Sequence, residues 1–267
     1  MQSHFSSCEL DRIPKELLGL KSPPKRLFFT GDTSLLDISP KVAIIGTRKP
    51  NQYTQIQTTN LAKSISQAGG VVVSGGALGV DIIAHSAALP RTIMISPSSL
   101  DTIYPASNSK TIFQIATNGL ILSEYENNKT PQKYDFLHRN RLVIALSDIV
   151  IIPQADKASG SLYSANLALE SKKPLFVLSH RIGESLGTQD LLLEEKAEAI
   201  FSIEAFLQKI GLQELTLDSS SGDYAEILDF CKGSPSFEEA YLRYGEEILA
   251  LELEGKITRT NGRVVVQ

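Results

Sequence analysis

Three stretches of this 267-residue chain gather residue types that hold anions. GTRKPNQY (46–53), SGGALGVD (74–81) and PQADKASGSLYSA (153–165) each follow an apolar run and open a helix-like segment. Glycine, serine and threonine at such a junction leave backbone N–H groups free, and the positive end of the helix dipole points the same way. Three such turns on one edge would form an amide-rich phosphate cradle. A tight strand-to-helix turn with nothing bound is the plainer reading of the second stretch. On the first reading Gly75 and Gly76 let a phosphodiester approach the backbone, Gly79 lets the next helix pack near the sheet, and Asp81 caps that helix.

A fourth stretch, KYDFLHRNRLVIALSD (133–148), interleaves charge with rings. Lys133, Arg139 and Arg141 are cationic, Tyr134 and Phe136 are flat, and Asn140 carries an amide. Single-stranded nucleic acid needs that mixture, with charge for phosphate and rings for bases. The stretch alone is equally a helix that buries Phe136 and solvates its arginines. Arg48 at its tight turn can fork onto a phosphate beside the loop amides, or stand as an ordinary surface arginine.

Other chemistries find little support. G-x-G-x-x-G is absent, since residues 75–79 read GGALG, and no acidic residue closes the following strand to hold a ribose. No Gly-Lys-Ser/Thr supplies a Walker A loop. His85 reads as packed, and neither it nor His138 has a Ser or Cys nucleophile motif beside it. Cys8 and Cys231 lie far apart with no ligand spacing to the four histidines, so neither a disulfide nor a zinc site is expected. No metal or cofactor is expected. The first twenty residues hold no apolar signal-like core and no stretch reaches membrane-spanning length, so a reduced cytoplasmic protein with no membrane contact is expected.

The elements that must carry these loops alternate. Apolar runs at 26–31, 41–46, 71–76, 92–96, 120–123, 148–152 and 174–179 are mostly continuous, as in strands covered on both faces. Helix-length segments at 53–68, 78–89, 111–118, 136–147 and 161–172 separate them. The pattern predicts an α/β, doubly wound, mainly parallel sheet whose strand-exit loops share one edge.

Residues 211–222 (GLQELTLDSSSG) read as a polar linker. Beyond them, three short helices (224–232, 236–243, 245–254) and a hairpin about Asn261-Gly262 predict a small winged-helix-like domain over 223–267. Splitting the chain after Gly222 leaves 21 basic and 21 acidic residues before the cut and 5 and 9 after it. The whole formal charge of −4 therefore belongs to the tail, and the larger part is free to hold a local basic groove. Glu246, Glu247, Glu252 and Glu254 on the third tail helix would repel duplex phosphates, while Lys256, Arg259 and Arg263 make the hairpin basic. A protein contact or a weak auxiliary DNA contact is the expectation for that domain.

GTRKP, SGGALGVDIIAHSAAL, FLHRNRLVIALSD and the ASGSLYSA segment resemble, in order and spacing, the DNA-processing protein A family (DprA, also called Smf) over roughly residues 25–210. LELEGKITRTNGRVVV resembles the winged-helix segment that ends many members. The resemblance implies an extended Rossmann-like domain over 1–210 that binds single-stranded DNA, forms homodimers, protects DNA entering by natural transformation and helps load RecA, without catalytic turnover. Carried over by position, the binding residues would be Thr47, Arg48 and Lys49, then Ser74, Gly75 and Gly76, then Lys133, Phe136, Arg139, Asn140 and Arg141, with Ser159, Gly160 and Ser161 completing the cradle.

Two departures stand out. Many members carry a further helical domain at the N-terminus, whereas about 25 residues precede the first apolar run here, and IIPQADKA replaces an apolar-Glu-Ala ending of the sixth run. An enzymatic alternative also exists, because the fold resembles nucleoside-monophosphate phosphoribohydrolases of the LOG type, which carry P-G-G-x-G-T-x-x-E. In ASGSLYSANLALE, Ala165 stands at the catalytic glutamate's place, and Glu170 lies too far along the helix for acid/base work at that bond.

Overall fold

Continuous apolar runs become strands with both faces covered, and each run sends alternate side chains to opposite layers. In the computed structural model, which describes residues 7–213, 224–253, 255–260 and 262–266, Val42 and Ile44 enter one core while Ala43 and Ile45 enter the other. Val150 and Ile152 against Ile149 and Ile151 repeat the division. The chain divides into two compact units, 1–215 and 216–267.

The first unit opens with β1 (Cys8–Glu9), α1 (Lys15–Leu18), β2 (Phe28–Gly31), β3 (Lys41–Ile44), α2 (Gln52–Gln67), β4 (Val71–Ser74), α3 (Val80–Ala88) and β5 (Thr92–Ile95). It continues through α4 (Ser109–Asn118), β6 (Leu120–Ser123), α5 (Lys133–Leu146), β7 (Ile149–Ile152), α6 (Gly160–Glu170), β8 (Leu175–Leu178), α7 (Leu186–Leu193), β9 (Glu198–Ile200) and α8 (Ile203–Lys209). One nine-stranded sheet runs β1-β2-β6-β5-β4-β3-β7-β8-β9. The strands from β3 to β9 pair in parallel with one another and with β6, while β1 and β2 complete one edge antiparallel. Helices α2, α3 and α8 cover one face, and α5 and α6 cover the other.

From β3 the chain winds outward to β6, then returns to the opposite flank of β3 as β7. That reversal opens a crevice between the loops leaving β3 and β7, where sheets of this kind take ligands. The first and third anion-type loops leave those two strands, and the second leaves the neighbouring β4. All seven strands expected from the sequence form. β1, α1, β9, α7 and α8 were not anticipated; β1 and β9 have two and three residues, with mainly exposed or half-exposed side chains.

The second unit contains α9 (Ala225–Lys232), α10 (Phe237–Tyr244), α11 (Glu246–Leu253) and the antiparallel pair β10 (Ile257–Thr260) and β11 (Arg263–Val266). Ile227, Cys231, Ala240, Ile248, Leu251, Ile257 and Val264 form its core. The hairpin cations are engaged inside this unit. Arg259 pairs with Glu252 at 2.6 Å and lies 3.3 Å over the Phe237 ring, Arg263 donates to Ser234 O at 2.9 Å, and Lys256 stands 5.3 Å from the Tyr224 ring centre. Residues 1–6, residues 214–222 of the expected linker, Asp223, Glu254, Asn261 and Gln267 lie outside the described residues.

Candidate nucleic-acid interface

The turn after β3 is tied down on both sides. Thr47 N–H donates to Gln154 O at 3.0 Å, Thr47 O accepts from Val80 N–H at 3.2 Å, and Thr47 Oγ1 accepts from Lys49 N–H at 3.2 Å. Arg48 therefore springs from fixed backbone with its side chain in solvent. Its guanidinium carbon stands 5.5 Å from the centre of the Phe136 ring. Tyr104, from the loop after β5, places its ring 5.3 Å from Phe136 at an interplanar angle of 58°. The three form a cation and ring cluster at the mouth of a cleft of about 270 Å³.

The cleft lies at the strand reversal. Thr47, Arg48, Phe136, Arg139, Asn140, Ser159, Gly160 and Ser161 of the expected set all line it, together with Asp81 and Leu137. Helical periodicity explains the share from α5, because Phe136, Arg139 and Asn140 lie three and four positions apart and Leu137 lies three before Asn140. Lys133 stands exposed one turn before Phe136. Ser159 caps α6 by accepting from Leu162 N–H at 3.2 Å, and Gly160 follows exposed at the rim. A Cβ on Gly160 would meet only Leu137 Cδ2, at 3.4 Å, so here a backbone can be approached from outside.

The glycine loop after β4 behaves differently from expectation. The space above Gly75 is filled by the Arg139 guanidinium and that above Gly76 by the Met94 side chain, so no phosphodiester reaches either backbone. Ser74 is buried and donates its hydroxyl to Ile44 O. Asp81 does not cap α3, whose N-cap is Gly79 with no side-chain bond. Instead its carboxyl, 3% exposed, lies at the cleft floor facing the backbone N–H groups of Gly46, Ala77 and Gly75. The protein's own carboxylate takes the amides that the sequence offers to phosphate.

Three consecutive polar residues of α5 also take other places than expected. Arg139 is buried and donates to Gly75 O and Ile95 O, with Nε on Asn140 Oδ1 at 3.0 Å. Asn140 Nδ2 donates to Ser164 Oγ at 2.9 Å, and Ser164 Oγ donates to Gly160 O at 3.2 Å, which links the cleft floor to its rim. Arg141 turns away to Glu124 at 2.5 Å and to His138. Arg139 and Asn140 thus shape the floor, Arg141 is spent in an internal pair, and Arg48, Lys49 and Lys133 are the exposed cations of the set.

Burial pushes the Asp81 carboxyl above its ordinary value, against the Arg139 charge and the loop amides that favour the anion. Burial also lowers the Arg139 guanidinium to about 10, with Asp81 opposing that fall and Arg48 adding to it by like-charge repulsion. At neutral pH Arg139 remains charged, so the floor holds one buried cation over one buried acid. Added to Arg48, this leaves the cleft positive.

Gly79 shows what holds the two loops together. Its φ is +79°, and a Cβ there would collide with Thr47 O and the Arg48 backbone. Gly79→Ala should lower stability by about 1–3 kcal/mol or more, since a side chain in that conformation is strained even before the collision. Gly160→Ala, whose Cβ would make only an ordinary van der Waals contact with Leu137, should leave the urea midpoint nearly unchanged. Equal midpoints for the two variants would refute this account of the loop contact.

Among the described residues no helix is long and apolar enough to cross a membrane, and no cluster of three or more His, Cys, Asp or Glu side chains is placed to hold a metal.

Comparison with known proteins adds independent findings. Residues 4–211 match the family model for DNA recombination-mediator protein A. The DNA processing protein DprA of Bacillus subtilis is 34% identical over 203 residues, covering 74% of this chain and 68% of that protein. Protein Smf of Synechocystis is 35% identical over 206 residues, covering 74% of this chain and 52% of that protein. The matches thus span about half to two thirds of these relatives' lengths. Among solved structures, DNA processing protein A of Helicobacter pylori, studied for its unique single-stranded DNA binding mode, is 58% identical with a TM-score of 0.77, covering 78% of this chain and 97% of that chain. DprA of Streptococcus pneumoniae is 31% identical with a TM-score of 0.71, covering 78% of this chain and 75% of that chain.

Proposed function

The chain belongs to the DNA recombination-mediator protein A family, and from that premise we propose that it binds single-stranded DNA in the cleft at the strand reversal and does so without catalytic turnover. The observation that carries the reading is the cluster of Arg48, Phe136 and Tyr104 at the cleft mouth. Unpaired bases stack on rings with about 1–3 kcal/mol each, and a guanidinium at the same place meets the neighbouring phosphate. Arg48, Lys49 and Lys133 supply exposed charge, Gly160 offers approachable backbone, and Thr47, Ser159 and Ser161 add polar groups. Ser74, Gly75, Gly76, Arg139, Asn140 and Arg141 serve by fixing the floor and its surroundings.

Protection of incoming DNA in natural transformation, loading of RecA and homodimer formation complete the proposal, on family membership and the kinship with the Helicobacter pylori protein. Two clefts in one dimer would hold a long strand with avidity. The second unit fits a protein contact better than duplex DNA, because its hairpin cations are turned to its own rings, carboxylate and carbonyl. A phosphoribohydrolase finds no support at α6, where Ala165 is packed into the core and Glu170 is the last helical residue.

Gel shifts with oligothymidylate at two salt concentrations test the reading. Phe136→Ala should weaken binding about tenfold or more, which is the loss of one stacked base. Arg48→Ala and Lys133→Ala should weaken it too, each lowering the slope of log affinity on log salt by about 0.7. Unchanged affinity in all three variants removes the cleft as the binding site, and enzymatic release of free base from AMP overturns the non-catalytic reading.

A further inference from the structure

A second groove opens on the same edge of the sheet, nearer β8. It has a volume of about 540 Å³ and lies between Asn51, Gln52 and Tyr53 at the start of α2 and His180, Arg181 and Glu184 in the loop after β8. The two openings share a wall, the turn from Thr47 to Tyr53. Gln154 fixes that wall at both ends, accepting from Thr47 N–H on its carbonyl and from Asn51 N–H on Oε1, each at 3.0 Å. Arg48 faces the cleft and Tyr53 the groove. They are five positions apart in the chain, so their Cα atoms lie within about 18 Å. Strands about 4.8 Å apart put β8 roughly 10 Å from β3, a span of a few nucleotides.

The groove is built to present a ring. His180 Nε2 donates to Pro153 O at 2.7 Å, which pins the imidazole, and the Tyr53 ring meets it edge-on at 5.5 Å and 83°. Tyr53 remains 40% exposed in this fixed attitude. Ile182, at the tip of the same loop as Arg181, is 102% exposed, an apolar surface left to water. Arg181 is exposed and, among the described residues, has no ion-pair partner, while Asn51 Oδ1 is used by Thr54 N–H at 2.8 Å and leaves its amide nitrogen to donate. Glu184, three residues after Arg181 on the same loop, keeps the groove from being uniformly cationic, which suits one base with one phosphate better than a free polyanion.

We propose that this groove is a second nucleotide subsite, which takes the continuation of the strand held in the cleft, with a base against Tyr53 and Ile182 and a phosphate on Arg181. The proposal rests on the reading that the cleft binds single-stranded DNA. The full chain and its Tyr53→Ala, Arg181→Ala and Phe136→Ala variants are titrated with oligothymidylates of about 3 to about 12 nucleotides, a range spanning known single-strand site sizes. Melting curves check that the variants fold, as exposed positions lead one to expect.

Tyr53→Ala and Arg181→Ala should match the parent on the shortest oligomers and fall behind by about tenfold once the strand outgrows the cleft. Phe136→Ala should be weak at every length. If the two groove variants follow the parent at all lengths while Phe136→Ala is weak, the subsite is refuted and the cleft stands. Loss on the shortest oligomers as well would make the groove part of the first contact and also refute a separate subsite. Parent-like binding by all three variants would remove cleft and subsite together.

Discussion

Arg139→Met should be among the most destabilising single changes in the first unit, lowering unfolding free energy by about 3–5 kcal/mol, the range for removing one member of a buried charged set. Methionine fills much of the volume but satisfies neither Gly75 O nor Ile95 O, and it leaves Asp81 without its neighbouring cation. Burial already raises the Asp81 carboxyl, so losing Arg139 raises it further and that group takes a proton more readily. The deficit of Arg139→Met should therefore be larger at pH 8 than at pH 5. Adding Asp81→Asn should recover part of the deficit at pH 8, because the uncompensated charge is gone. Urea midpoints at the two pH values measure all of this. A deficit under about 1 kcal/mol, well below the range for such pairs, or strict additivity in the double variant, would show that Arg139 is not the keystone of the floor.

Acid should destabilise the protein through His85. The imidazole is fully buried on α3, with Nδ1 on Thr92 Oγ1 at 2.7 Å. Thr92 Oγ1 spends its proton on Val72 O, so His85 Nδ1 carries the hydrogen of that bond. Burial first, and Arg139 second, push its pKa down from 6.5 to about 3. The folded state thus keeps the ring neutral while the unfolded chain binds a proton below pH 6.5. Stability is fully present above that pH and is lost as pH falls toward about 3. At about 1.4 kcal/mol per unit, roughly 2 kcal/mol should be gone by pH 5 and about 4–5 kcal/mol by pH 3. Asp81 works in the opposite sense, since a carboxyl raised in the folded state holds its proton there and adds stability as pH falls. His85→Gln should flatten the acid limb of the midpoint against pH curve. An unchanged limb in that variant would assign the acid sensitivity elsewhere.

Much of the fold was legible because the strands are short, continuous and apolar, and no competing helical period runs through VAII, VVV or IVII. The edge pieces β1 and β9 were not, because two or three residues give no period to read. In the site, Arg48, Phe136 and the α6 cap were legible as a cation, a ring and a helix start. The glycines were harder. A bare backbone is needed wherever something must come close, and the sequence does not distinguish a phosphate from the guanidinium of Arg139, 64 residues later in the chain. Arg141 shows the same limit, since its partner Glu124 is 17 residues away and only tertiary structure joins them. Tyr104 sits in an aperiodic loop between β5 and α4, with nothing local to mark it as the neighbour of Phe136.

The double tether of Thr47, to Gln154 on one side and Val80 on the other, bears on where disorder would be lost in the proposed complex. The backbone that carries Arg48 is already held, so on the proposed binding mode the freedom surrendered would belong to the Arg48 side chain and the unpaired strand rather than to that turn. Tighter complexes then come from stiffer ligands, strands whose sugars and phosphates are already extended, rather than from further rigidity in the protein.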